Sequence, residues 1–201
     1  MGSPELSPAD LSYNEAVRHM RAGDHEAALV AFDRALQEDP RHATAPLARA
    51  RTLVEMGRLD EAVAELKAAV GRRPTDPRAF NDLGLVYRQL QEAEGALWCF
   101  RAAVRLSGEV PDFHYNLART YWDVGRYPEA AQALRRLLEL RPEDVEAHEE
   151  MADLCFVLEA YDRASVHVRE CLRLAPEHEQ APQWQAKLAY LEREELTGGG
   201  G

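Results

Sequence analysis

Arg51, Arg88 and Arg119 are the side chains in this sequence whose type and spacing best suit the capture of an anion. Each guanidinium offers donors in a planar fork that matches a carboxylate or a phosphate. Asn81 and Asn116 lie among them, and a carboxamide can bond an extended peptide backbone on both its donor and its acceptor side. Each arginine is also followed four residues later by an acid, Glu55, Glu92 or Asp123. The same residues therefore read as i, i+4 pairs on a solvated helix face, worth about 0.2–0.5 kcal/mol each.

Covalent and metal chemistry find less support. The sequence contains no phosphate-cradling glycine loop, no His-Glu-x-x-His, no Cys-x-x-Cys and no Gly-x-Ser-x-Gly. Among seven histidines, His114 and His148 lie thirty-four residues apart with Glu150 close by, but two imidazoles fall short of the three or four ligands a metal usually takes. They read instead as rings filling equivalent places between helices. Cys155 and Cys171 fall on facing helices of one expected hairpin, as a redox pair or as two small buried hydrophobes. Neither a cofactor nor a metal is expected, and no nucleophile stands at recognisable spacing from a base.

Positioning these residues requires helices. Phe80, Leu83 and Tyr87 recur at helical spacing and form one stripe, and Gly84 removes the side chain where a second helix presses. Ala96, Phe100 and Ala103 supply that second face. The small residues repeat: Ala28, Ala62, Ala96, Ala130 and Ala164 lie thirty-four apart, as do Ala16, Ala50, Gly84, Ala118 and Ala152. Pro40, Pro74, Pro142 and Pro176 fall on one lattice whose remaining node is Gly108. No alternating Val/Ile/Thr runs suggest strands.

Position by position this pattern resembles the tetratricopeptide repeat, which places an aromatic, a Leu-Gly pair, a Tyr, then Ala, Phe and Ala at these intervals. The expected fold is all-α, a right-handed superhelix of five repeats at 9–42, 43–76, 77–110, 111–144 and 145–178. Residues 1–8 read as a frayed tail, 179–196 as a capping helix and 197–201 as a disordered glycine tail. Gln91 stands where a turn glycine belongs, so that turn is either looser or built on a left-handed residue at some cost.

The resemblance implies that the first helix of each repeat lines a concave groove for a peptide. The groove positions would be Tyr13, Asn14, Val17 and Met20, then Leu47, Arg51 and Val54, then Arg78, Asn81, Asp82, Leu85 and Arg88. Tyr115, Asn116, Arg119 and Trp122 follow, and the far end offers Glu146, Glu149, Glu150, Asp153 and Phe156. The arginines then form a cationic ladder and the last repeat an acidic cluster, matching a segment acidic toward its middle and basic toward its end. No three-repeat window reproduces the Lys/Asn clamp by which some family members bind a C-terminal carboxylate. Trp98, on a second helix and away from the groove, is the candidate for a second interface or for self-association.

A net charge of −11 argues against nucleic acid or anionic lipid as partner. No apolar run approaches the roughly 18 residues that span a bilayer. The start lacks the features of a secretory signal, and three cysteines suggest no disulfide framework, so the expected setting is a reducing cytoplasm. Two roles fit: a non-catalytic scaffold binding a partner segment in the groove, or an assembly factor working through self-association or broad surface contacts.

Overall fold

The computed structural model describes residues 6–198, with side chains as far as Arg193. Eleven helices and no strand occur among them, divided between two compact units.

The first unit, residues 6–106, holds α1 (Pro8–Arg21), α2 (His25–Glu38), α3 (Ala45–Glu55), α4 (Leu59–Arg72), α5 (Pro77–Gln89) and α6 (Ala93–Leu106). Each odd-numbered helix packs against the helix that follows it as an α-α hairpin, and α2 on α3 and α4 on α5 join one hairpin to the next. The lattice alanines make this close approach feasible: Ala16, Ala28, Ala50, Ala62 and Ala96 are all fully buried. At Gly84 the contact is tighter still, since a Cβ there would lie 2.7 Å from the Phe100 ring.

The second unit, residues 107–198, holds α7 (Pro111–Asp123), α8 (Tyr127–Leu140), α9 (Val145–Val157), α10 (Tyr161–Leu174) and α11 (Ala181–Gly198). Its two hairpins, α7/α8 and α9/α10, pack through α8 and α9, and α11 lies on α10. α11 buries Ala181, Trp184 and Leu191 and leaves Gln183, Gln185 and Ala186 exposed. Ala186 falls on the alanine lattice, but no further helix covers it among the described residues.

Local chemistry sets the helix ends. Ser7 and Asp10 form a capping box at α1, and Asp24, Asp76 and Asp144 accept backbone N–H groups at the starts of α2, α5 and α9. Proline occupies the first turn of α1, α3, α5, α7 and α8, where the missing donor has no intrahelical partner to lose. Within each hairpin the first helix ends on a left-handed residue: Gly23, Gly57, Gln91, Gly125 and Glu159, with φ between 57° and 78°. The following N–H then reaches back to the carbonyl five residues earlier, as in Asp24 to His19 at 3.0 Å and Glu92 to Tyr87 at 2.8 Å. Gln91 thus takes the left-handed form and keeps the same bond as its glycine counterparts. Glu159 does so too, a second turn without glycine, with the Ala160 N–H bonded to the Cys155 carbonyl at 2.8 Å.

Two boundaries move. α1 begins at Pro8, inside the segment expected to be a tail, and α11 extends to Gly198, inside the expected glycine tail. The rest of those tails, residues 1–5 and 199–201, lies outside the described residues.

Candidate functional site

The first helices of the hairpins bring the expected groove residues to one face of each unit, but their charges are largely engaged within the chain. On the first unit, Arg51 of α3 donates from Nε and Nη2 to the Asp82 carboxylate of α5 at 2.9 and 3.0 Å. Asp82 is 5 % exposed. Burial pushes its carboxyl above the usual range, and the Arg51 guanidinium pulls it partly back. Arg78 folds onto Asp76, the residue that caps its own helix. Arg88 is half-buried on α5 and forms no ion pair among the described residues. The i, i+4 pairing of Arg51 with Glu55 does not form: the buried carboxylate of the next first helix offers a fork-matched partner, and Arg51 turns to it.

On the second unit the pattern recurs. Arg119 of α7 donates to Glu150 of α9 at 3.0 Å and to the Tyr115 hydroxyl at 3.2 Å. That hydroxyl in turn donates to Glu146 at 2.5 Å. Burial, followed by the bond to Glu146, pushes the Tyr115 phenol up to about 12. The expected acidic cluster is divided among partners: Trp184 Nε1 donates to Glu149 at 2.9 Å, and Lys187 pairs with Asp153. α11 therefore contributes a donor and a cation to this face, neither of which the spacing of the five repeats indicated. An interval of thirty-one residues between opposite charges, shared by Arg51/Asp82 and Arg119/Glu150, is the signal that would have found the two arginine pairs.

Arg119, Trp122, Glu150 and Asp153 converge on a cleft of about 260 Å³ floored by Ala118, Leu134 and Leu154. The Trp122 indole is held edge-on by Tyr127 at 5.4 Å between ring centroids. Asn81 and Asn116 are half-buried on the same helices, and Asn81 hydrogen-bonds the Asp82 carboxylate.

Residues considered for other chemistry have structural roles. His114 and His148 each donate from Nε2 to the carbonyl six residues back, Gly108 and Pro142, at 2.9 Å. Each imidazole thereby ties down the lattice residue that breaks the preceding helix. Cys155 and Cys171 are free, buried thiols, and burial pushes Cys171 up to about 12, which makes it unreactive at neutral pH. No group of three or more metal-ligating side chains occurs among the described residues. Trp98 on α6 is 60 % exposed, with one edge against Phe80 at 5.6 Å.

The tetratricopeptide repeat profile matches residues 19–83 and again residues 115–179, together more than half of the chain. The protein belongs to the tetratricopeptide repeat family. A TPR repeat-containing thioredoxin, TTL4 of Arabidopsis thaliana, is 36% identical over 109 residues, which is 52% of this chain and 15% of that protein. The chain therefore spans only a small part of that relative. Among solved structures, MamA superposes with a TM-score of 0.74 at 20% identity, covering 84% of this chain and 92% of its own. YrrB, described as a TPR protein with an unusual peptide-binding site, superposes with a TM-score of 0.71 at 21% identity, covering 87% and 90%. At these identities the likeness is one of fold. No described helix is long and apolar enough to cross a membrane.

Proposed function

We propose that the chain is a non-catalytic adaptor that holds a segment of a partner protein on the first-helix faces of its two units. The observation that carries this reading is the cleft walled by Arg119, Trp122, Glu150 and Asp153. A rigid indole, a charged pair already oriented by its neighbours and an apolar floor suit one anchoring side chain of a bound segment, with peptide amides bonding at the rim. The repeat fold hosts many unrelated partners, so the fold supports a binding role and the side chains supply its chemistry. YrrB, with the same fold, is described as binding a peptide, which favours the reading.

An acidic segment is the preferred ligand, but with a narrower basis than a ladder of three arginines. Arg51 and Arg119 already satisfy carboxylates of the chain, so an incoming acid must compete with Asp82 or Glu150. Arg88 is the groove arginine with no such competitor among the described residues. Trp122→Ala and Arg88→Glu test the two faces separately: each should reduce capture of the partner while helicity is retained, and undiminished capture by both would refute the groove.

Self-association is the second reading, favoured by the exposed Trp98 indole. If it holds, Trp98→Ala converts an oligomer to a monomer in light scattering. A wild-type chain that stays monomeric at high concentration rejects it.

A further inference from the structure

On the second-helix side of the second unit, α8 and α10 stand apart over α9 and leave an open cleft of about 650 Å³. Its apolar lining includes Leu138 from α8, Met151 from α9 and Leu158 at the end of α9. Arg135 and Arg163 flank it from α8 and α10. Burial pushes the Cys155 thiol on the floor up, and the guanidiniums of Arg163 and Arg135, both in the lining, pull it partly back.

Within this unit, these two arginines differ from most of their neighbours in the absence of an acid. In this unit Arg119, Arg126, Arg136, Arg141, Arg169 and Arg173 each pair with a carboxylate. Arg135 and Arg163 pair with none among the described residues, in a chain with eleven more acids than bases. Glu139, also at the cleft, is held by Arg136 at 2.8 Å. Asp162, which also acts on Cys155, pairs with neither arginine. His148 and His167 complete the lining and join Nδ1 to Nδ1 at 2.9 Å. His148 Nε2 also donates to the Pro142 carbonyl, and burial, followed by the charge of His148, holds His167 down to about 4, so the His167 ring is uncharged at neutral pH. The permanent positive charge of the cleft is that of the two guanidiniums.

We propose that this cleft binds an acidic amphipathic helix of a partner protein, its apolar ridge on Leu138, Met151 and Leu158 and its carboxylates on Arg135 and Arg163. A helix is favoured over an extended strand because the walls are helices whose backbone groups are already bonded, so no sheet edge is offered. The cleft is separate from the Trp122 site, and neither needs the other.

The probe is a fluorescein-labelled peptide of about five helical turns, with leucines on one face and glutamates beside them, read by fluorescence anisotropy. Binding should weaken by about tenfold or more when Arg135→Glu and Arg163→Glu are combined. It should weaken similarly in Ala131→Trp, which fills the cleft and leaves both arginines in place. Circular dichroism confirms that each variant is folded. A lysine-for-glutamate peptide should bind at least about tenfold more weakly to the wild type. Binding unchanged in both cleft variants overturns the proposal. So does binding that falls with Trp122→Ala instead, or a wild type that takes dodecanoate but not the peptide.

Discussion

Arg51 and Asp82, thirty-one residues apart, are joined by two parallel hydrogen bonds of 2.9 and 3.0 Å that tie the first helix of one repeat to the first helix of the next. Arg119 and Glu150 repeat the interval at 3.0 Å in the second unit. The pair is asymmetric, because Arg51 is largely exposed while Asp82 is buried. Removing the arginine strands a buried carboxylate, whereas removing the acid only frees a solvated cation.

Arg51→Ala should therefore destabilise the chain by about 1–2 kcal/mol, a range that allows for the exposed partner. Asp82→Asn should cost less, and the double variant should recover much of the loss. A double-mutant cycle by urea denaturation measures this directly, and additive losses would mean that the pair is not coupled.

The two left-handed turns without glycine are the places where the fold carries avoidable strain. Gln91→Gly and Glu159→Gly should each stabilise by about 0.5–1 kcal/mol, raising Tm by about 1–4 °C. The reverse change, Gly57→Ala, should cost about 1 kcal/mol through its backbone alone, since nothing lies within 4 Å of the added Cβ.

Gly84→Ala should cost about 1–3 kcal/mol, because the added methyl meets the Phe100 ring rather than open space. Phe100→Leu in the same chain should relieve part of that cost. An unchanged Tm for Gly84→Ala would show that the hairpin contact is looser than the structure has it.

His167 is held down to about 4, first by burial and then by the charge of His148, with Glu170 opposing. A depressed histidine means that the unfolded chain takes up the proton first as pH falls below about 6.5. The stability this group contributes is present at neutral pH, drains between about 6.5 and about 4, and is level below that. Asp82 and Glu150, with raised carboxyl pKa values, act in the opposite sense as they protonate. In His167→Asn the loss of Tm between about pH 7 and about pH 4.5 should be smaller than in the wild type. An equal loss would place the titrating group elsewhere.

The hairpins were legible because close helix contact demands a small residue at a fixed place, and Ala16 through Ala152 mark that place every thirty-four residues. Helix ends were legible where a proline or a turn glycine is required, and less so at Glu159, whose side chain gives no sign of a left-handed backbone. The charge pairing was not legible from helix-face spacing. Arg51 has Glu55 on its own helix, and only the packing of α3 on α5 shows that Asp82 is the better partner. The contacts of α11 lay outside the five-repeat count, so Trp184 and Lys187 were not placed beside Glu149 and Asp153. The α8/α10 cleft was equally hidden, since Arg135 and Arg163 are separated in sequence and meet only across α9.

The central claim is that a partner segment is held on the first-helix face, beside Trp122. Site-specific photocrosslinking tests it most directly, with a benzophenone side chain placed at position 123, exposed beside Trp122 at the same cleft, or, as a second-helix comparison, at position 30. The account predicts a partner adduct from position 123 that is lost with Arg119→Glu and absent from position 30. An adduct from position 30 alone, or one from position 123 that persists undiminished with Arg119→Glu, would contradict it.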